Sequence, residues 1–170
     1  MGILSGNPKE EPMHYGEVYS VWMHLSAAKA SVAAYETLLN HAGDEDLQKI
    51  IKDIIEDTSK QEIEEVERLL TEHGIGMPPT PAKRPEACIE KIPAGARFLD
   101  QEIANKLSAD IAAGLISCST VMGQCIREDI ASMYANFHTK KAQYATKVLR
   151  LLKDKGWLIP PPLHIDPSDC

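Results

Sequence analysis

An antiparallel four-helix bundle of the all-α class is the fold this sequence predicts. Apolar residues recur every three or four positions through four long segments, which is the mark of amphipathic helices. No stretch alternates with the period of a strand, and aromatic residues make up only 5% of the chain. A proline-rich stretch divides the four segments two and two.

The first helix is expected over about 15–42, with Val18, Val21, Leu25, Ala28, Val32 and Leu39 on one face and Gly43 as a left-handed C-cap. Asp44 then caps a second helix over about 44–73, whose apolar face carries Leu47, Ile51, Ile54, Ile55, Thr58, Val66 and Leu69, and Gly74 stops it. So short a link makes these two helices antiparallel neighbours. Residues 74–99 hold repeated prolines that forbid a continuous helix. Extended at ~3.3 Å per residue they reach about 80 Å, ample to return along a helix of about 42 Å. The third helix is expected over about 100–125, opened by Asp100 as N-cap, with Ala104, Leu107, Ile111, Leu115, Cys118, Met122 and Cys125 on one side. The fourth is expected over about 128–155 with the stripe Ile130, Met133, Phe137, Tyr144, Val148 and Leu151, so the turn falls between Gly123 and Asp129. Gly156 closes it, and the tail 157–170 is too rich in proline to be helical. Trp157, Leu158 and Ile159 are expected to pin that tail to the bundle as a strap.

At 170 residues and 44% hydrophobic content, one domain with a single core is expected. Lys and Arg number 18 against 25 Asp and Glu, and the net charge of -7 argues against partnership with nucleic acid or an anionic membrane surface. There is no secretory pattern at the start and no run of ~18 uncharged apolar residues, so a cytoplasmic location is expected. Cys88, Cys118, Cys125 and Cys170 are too far apart for a zinc knuckle and include no C-x-x-C, so reduced thiols are expected. No phosphate loop, nucleophile elbow or dinucleotide fingerprint occurs, and the lone glycines read as helix ends or crossover.

Chemistry is suggested by charges on the apolar faces. At 100° per residue, Glu62 and Glu65 both fall inside the stripe of the second helix, Glu36 falls on the buried face of the first, and Lys141 lies between Phe137 and Tyr144 on the fourth. A carboxylate so placed needs an ion-pair partner, hydrogen bonds, a proton or a metal. Counting from the turns brings His24 level with Glu62, and Cys118 and His138 to a similar height. His24, Glu62, Glu65, His138 and Cys118 therefore form a candidate site for a transition metal or zinc. Against it, the two histidines lie at the edges of their stripes, and Lys141 offers the acids a counter-ion that makes a metal unnecessary.

The segments EPMHYGEVYSVWMHL, LNHAGDEDL, IPAGARFLDQEIA and IREDIASMYANFHTKKAQYATKVLRLLKDKGWLIPPPLH together resemble the DUF3231 family of Bacillus-type bacteria. The resemblance spans nearly the whole chain and implies a ferritin-like bundle without an established activity. The Glu-x-x-His pairs of ferritin-like di-iron proteins are missing, because the second helix offers Glu62-x-x-Glu65, the fourth has His138 with no acid three residues before it, and the third presents Cys118. Two functional readings follow: a metal-binding bundle, or a structural or interaction protein, spore-associated by the kind of bacterium implied, in which Lys141 neutralises the buried acid. Tyr19, Met23, Ile63, Leu70 and Ile116 lie off the main stripes and suggest an apolar patch, covered in part by the strap and in part by a homodimer partner.

Overall fold

The structure is a computed structural model and describes residues 11–164. It is all-helical there: α1 Tyr15–His41, α2 Glu45–Asp53, a π-helical turn Ile54–Ser59, α3 Lys60–Glu72, α4 Asp100–Gln124 and α5 Glu128–Asp154. Because α2, the π turn and α3 follow one another without a break, they act as one second helix, and the fold is a four-helix bundle. Two hairpins, α1 with α2–α3 and α4 with α5, are joined by the long crossover. No described helix is long and apolar enough to cross a membrane.

The core falls into two apolar clusters stacked along the bundle. One joins Tyr35 and Leu38 of α1 to Leu47 and Ile51 of α2, Leu107 of α4 and Val148 of α5. The other joins Val21 and Leu25 of α1 to Val66 and Leu70 of α3, Cys118 of α4 and Phe137 of α5. The late half of α1 thus shares a cluster with the early half of α4, so these two run antiparallel, while α4 runs parallel to the second helix. Each fully buried leucine or isoleucine here contributes about 1.5–3 kcal/mol.

Several ends differ from their sequence reading. Gly74 and Gly156 take the left-handed conformation (φ 66° and 68°) that a helix-closing glycine supplies. Gly43 does not; α1 ends in an extended Ala42. A Cβ on Gly43 would lie 3.4 Å from an Asp100 carboxylate oxygen, and the Gly43 N–H donates to Asp100 Oδ1 at 2.8 Å. Asp100 is accordingly not the N-cap of its own helix. It caps the α1–α2 turn from across the bundle, and the Glu102 carboxylate accepts the Leu99 N–H instead. Asp44 caps α2 as expected, accepting from Leu47 N–H at 3.0 Å.

The π turn explains a further pair of departures. It winds less per residue than an α turn, so the apolar face beyond it is displaced from where uninterrupted α periodicity would put it. Leu70, assigned by periodicity to the outside, is fully buried, and Glu65, assigned to the stripe, is half-exposed.

The crossover lies along the outer face of α1, anchored by a ladder of side chains from that helix. The Trp22 indole donates to Gly76 C=O, Lys29 to Pro78 C=O and Asn40 to Pro85 C=O, while Glu36 accepts the Arg84 N–H. These anchors meet the backbone groups that a segment without long helices leaves unpaired. Glu36 is therefore half-buried under the crossover rather than inside the core. Trp157 and Leu158 pack against the cluster around Leu107, and Trp157 C=O accepts from Gln101. Their strap lies far from Tyr19, Met23 and Ile116, which stay exposed, and Ile159 is itself exposed. The end of the tail, 165–170 with Cys170, lies outside the described residues.

Candidate functional site

Where the two apolar clusters meet, one acid from the second helix is held by a cation from the fourth and an imidazole from the first. Glu62, in the first turn of α3 after the π segment, is 2% exposed. The Lys141 ammonium donates to its Oε1, and His24 Nε2 lies 3.2 Å from its Oε2. Burial pushes the Glu62 carboxyl up, but the His24 hydrogen bond and the Lys141 charge outweigh it, and the group sits below the usual glutamate range. Glu62 is therefore ionised at neutral pH, a full charge inside the bundle that its two neighbours compensate.

The surroundings fix both neighbours. The His24 ring lies parallel to Phe137 at 5.5 Å and edge-on to Tyr134 at 5.1 Å, which leaves it little rotational freedom. The Lys141 stem passes over Gly114 in the middle of α4, where an added Cβ would come within 3.0 Å of Lys141 Cδ. A mid-helix glycine costs about 1 kcal/mol against alanine. The close approach of Lys141 accounts for it, and Gly114 lies mid-helix rather than at a helix end or in the crossover as expected.

Of the five proposed ligands, the structure brings His24 and Glu62 into contact. Cys118 is fully buried, and burial, with the Lys141 charge opposing and the Glu62 charge adding, pushes its thiol up to about 11. A metal ligand there would be a thiolate, so binding would have to displace the Cys118 proton. Glu65 and His138 are half-buried and make no hydrogen bond or ion pair among the described residues. Among the described residues no three His, Cys, Asp or Glu side chains come together in a set able to hold a metal ion. The partner gathered at Glu62 besides His24 is Lys141, on which the alternative reading depended.

A groove of about 900 Å³ opens from this cluster to the surface between α1 and α4. The middle of its walls is small and uncharged, with Ala27, Ala30, Ser31 and Ala34 facing Ala113, Gly114 and Ser117, while Lys106 and Asp110 line one end, and its floor includes His24, Glu62, Lys141 and Thr58. Thr58, in the π turn, is buried with no hydrogen bond of good geometry to its hydroxyl. The next acid along, Asp57, accepts from the Tyr144 hydroxyl at 3.2 Å.

Other buried charges had no legible signal. Glu17 reaches from α1 to the α4–α5 turn, where its Oε1 accepts from Ile126 N–H at 2.9 Å and Arg127 N–H at 3.0 Å, and its Oε2 accepts from His14 N–H. Arg127, 1% exposed, forks onto both oxygens of Asp129 and donates to Glu11 C=O. Its Nη1 also donates to His73 Nε2, an arrangement that requires the His73 proton on Nδ1, which faces Leu69 C=O at 2.9 Å. Lys29, a buried residue of α1, pairs with Glu67 at 2.8 Å and with the crossover. A cross-element acid or base could be found only by knowing which loop it meets.

The chain is similar to several bacterial proteins. Uncharacterized protein YvdQ of Bacillus subtilis (strain 168) is 53% identical over 165 residues, covering 97% of this chain and 96% of that one. A crystal structure of a Bacillus halodurans C-125 protein (BH2358), whose name proposes it as a spore coat protein, superposes with a TM-score of 0.92 at 49% identity. It covers 94% of this chain and all of its own. A conserved hypothetical protein of Mycobacterium tuberculosis, rv2844, shares the fold with a TM-score of 0.65 at 15% identity over 80% of this chain and 96% of its own. Residues 1–169 match the family described as "Protein of unknown function (DUF3231)", and the chain belongs to that family.

Proposed function

We propose that this protein is a non-catalytic structural or interaction protein of the spore coat, a bundle whose interior charge is compensated by its own side chains. The observation that carries the non-metal half is the Lys141–Glu62–His24 cluster, in which the buried carboxylate already has two protein partners. The coat half rests on the name of the relative at 49% identity, and it replaces the cytoplasm as the compartment we propose. Fractionation of spores with an antibody to this chain tests it. Signal that survives removal of the soluble core fraction supports a coat location, and signal confined to that fraction contradicts it.

The competing reading holds a transition metal or zinc at His24, Glu62, Glu65, His138 and Cys118, and it is favoured by the contact of His24 with Glu62. It requires Lys141 to leave Oε1, the Cys118 thiol to ionise, and Glu65 and His138 to turn inward. Metal analysis of untagged protein purified without chelator separates the two. Our reading predicts less than about a tenth of an equivalent of any transition metal and no rise in unfolding midpoint on adding zinc, since a ligand that binds only the native state raises it by mass action. Stoichiometric metal that Glu62→Ala abolishes contradicts it.

A further inference from the structure

The exposed face of α1 is divided by size. Its N-terminal half presents Tyr15, Tyr19 and Met23, at 94%, 67% and 42% exposure, and its C-terminal half presents Ala27, Ala30 and Ala34. At 100° per residue all six fall within about 120° of one another, so they form one continuous ridge, high at one end and low at the other. This ridge borders the open groove to α4.

Charge is sparse on the same surface and confined to its early α4 end, where Lys106 and Asp110 pair with each other. From Ile111 to Ile126 the sequence holds no Asp, Glu, Lys or Arg, although Ala113, Ser117, Thr120 and Gln124 there are exposed along the groove. In a chain with 25% charged residues and a net charge of -7, a face across two neighbouring helices whose exposed charge is confined to the mutually neutralising Lys106–Asp110 pair is where two like-charged copies meet with least repulsion. It is also the site where apolar side chains gain by leaving water.

We propose that a second copy of this chain covers the α1–α4 face, related by a two-fold axis that sets its α1 antiparallel to the first. In that arrangement each tall residue meets a short one: Tyr15 opposes Ala34, Tyr19 opposes Ala30 and Met23 opposes Ala27, on both copies at once. Self-complementarity of this kind is what an isologous interface demands. The Tyr19 ring of each copy enters the groove beside the Ala30 of the other and closes the route from water to the Lys141–Glu62–His24 cluster. A face about 28 Å long and about two helices wide covers on the order of 600 Å² per copy, or about 1,200 Å² in all, at the lower edge of stable interfaces. The dimer follows from the face alone, whichever reading of the interior holds.

Sedimentation equilibrium of the full chain tests it, with far-UV circular dichroism to confirm that each variant is folded. The full chain is expected to be dimeric at about 100 µM, and Ala30→Glu, a change at an exposed position, to weaken association by about 100-fold or more. Tyr19→Lys weakens it too. The register makes a sharper demand on an equimolar mixture of Ala30→Glu with Tyr19→Lys. There the introduced carboxylate of one chain faces the introduced ammonium of the other while the remaining contact is native, so the mixture dimerises where each variant alone does not. A monomeric full chain, or a dimer indifferent to Ala30→Glu, overturns the proposal and leaves the groove to a different occupant. Variants that are both monomeric but fail to associate when mixed overturn the antiparallel arrangement.

Discussion

Glu62 carries its charge into the bundle because two residues from other helices compensate it, and its protonation is therefore linked to stability. Its carboxyl lies below the usual glutamate range in the folded chain, so it contributes stability that is fully present above the unfolded glutamate value and is lost as pH falls through the folded one. Wild-type protein should lose more stability than Glu62→Gln between neutral pH and the acid side of the carboxylate range, as measured by urea midpoints across that span; parallel losses would contradict the coupling. Gly114→Ala tests the same cluster from the other side. Helix propensity alone predicts a gain of about 1 kcal/mol, whereas displacement of the Lys141 stem predicts that the gain is cancelled or reversed. If Lys141→Ala, which removes Cδ and Cε, is already in place, the alanine at 114 should recover its full propensity gain. Glu62 and Lys141 were legible in the sequence because each is a charge on an apolar stripe, and His24 because counting from a tight turn gives height. Gly114 was not, since its reason is the path of a side chain on another helix.

At the scale of elements, the π turn is the feature that periodicity alone could not reveal. It moves Leu70 inward and leaves Glu65 half-buried at the edge of the apolar face. The α4–α5 turn was bracketed correctly between Gly123 and Asp129, but what holds it was not visible: Glu17, over a hundred positions away, accepts the N–H groups of Ile126 and Arg127. Glu17→Ala strands these two amides and the His14 amide, and is expected to destabilise by on the order of 2–3 kcal/mol. Amide hydrogen exchange should show Ile126 and Arg127 losing protection ahead of the α5 core, and unchanged protection there would contradict the assigned bonds. Arg127 acts on the same turn through Asp129. Burial raises the Asp129 carboxyl, the Arg127 fork more than offsets it, and this pair too gives way as pH falls below the carboxylate range.

For the whole molecule, four helices and their order followed from apolar period and proline placement, because those signals are local to each segment and repeated many times along it. How the segments lean on one another was less legible. The crossover runs along α1 because Trp22, Lys29, Glu36 and Asn40 offer it partners, and the strap seats Trp157 near Gln101 rather than over Tyr19, Met23 and Ile116. That leaves the α1–α4 face open, and the neutrality of the interior rests on Lys141 being the counter-ion of Glu62. A double-mutant cycle of Lys141→Met and Glu62→Gln, read by urea unfolding at neutral pH, tests this most directly. Lys141→Met alone is expected to cost about 3 kcal/mol by stranding a buried charge, and the double variant to recover at least half of it. Single effects that add to within about 0.5 kcal/mol, or a Lys141→Met variant within about 1 kcal/mol of wild type, would contradict it.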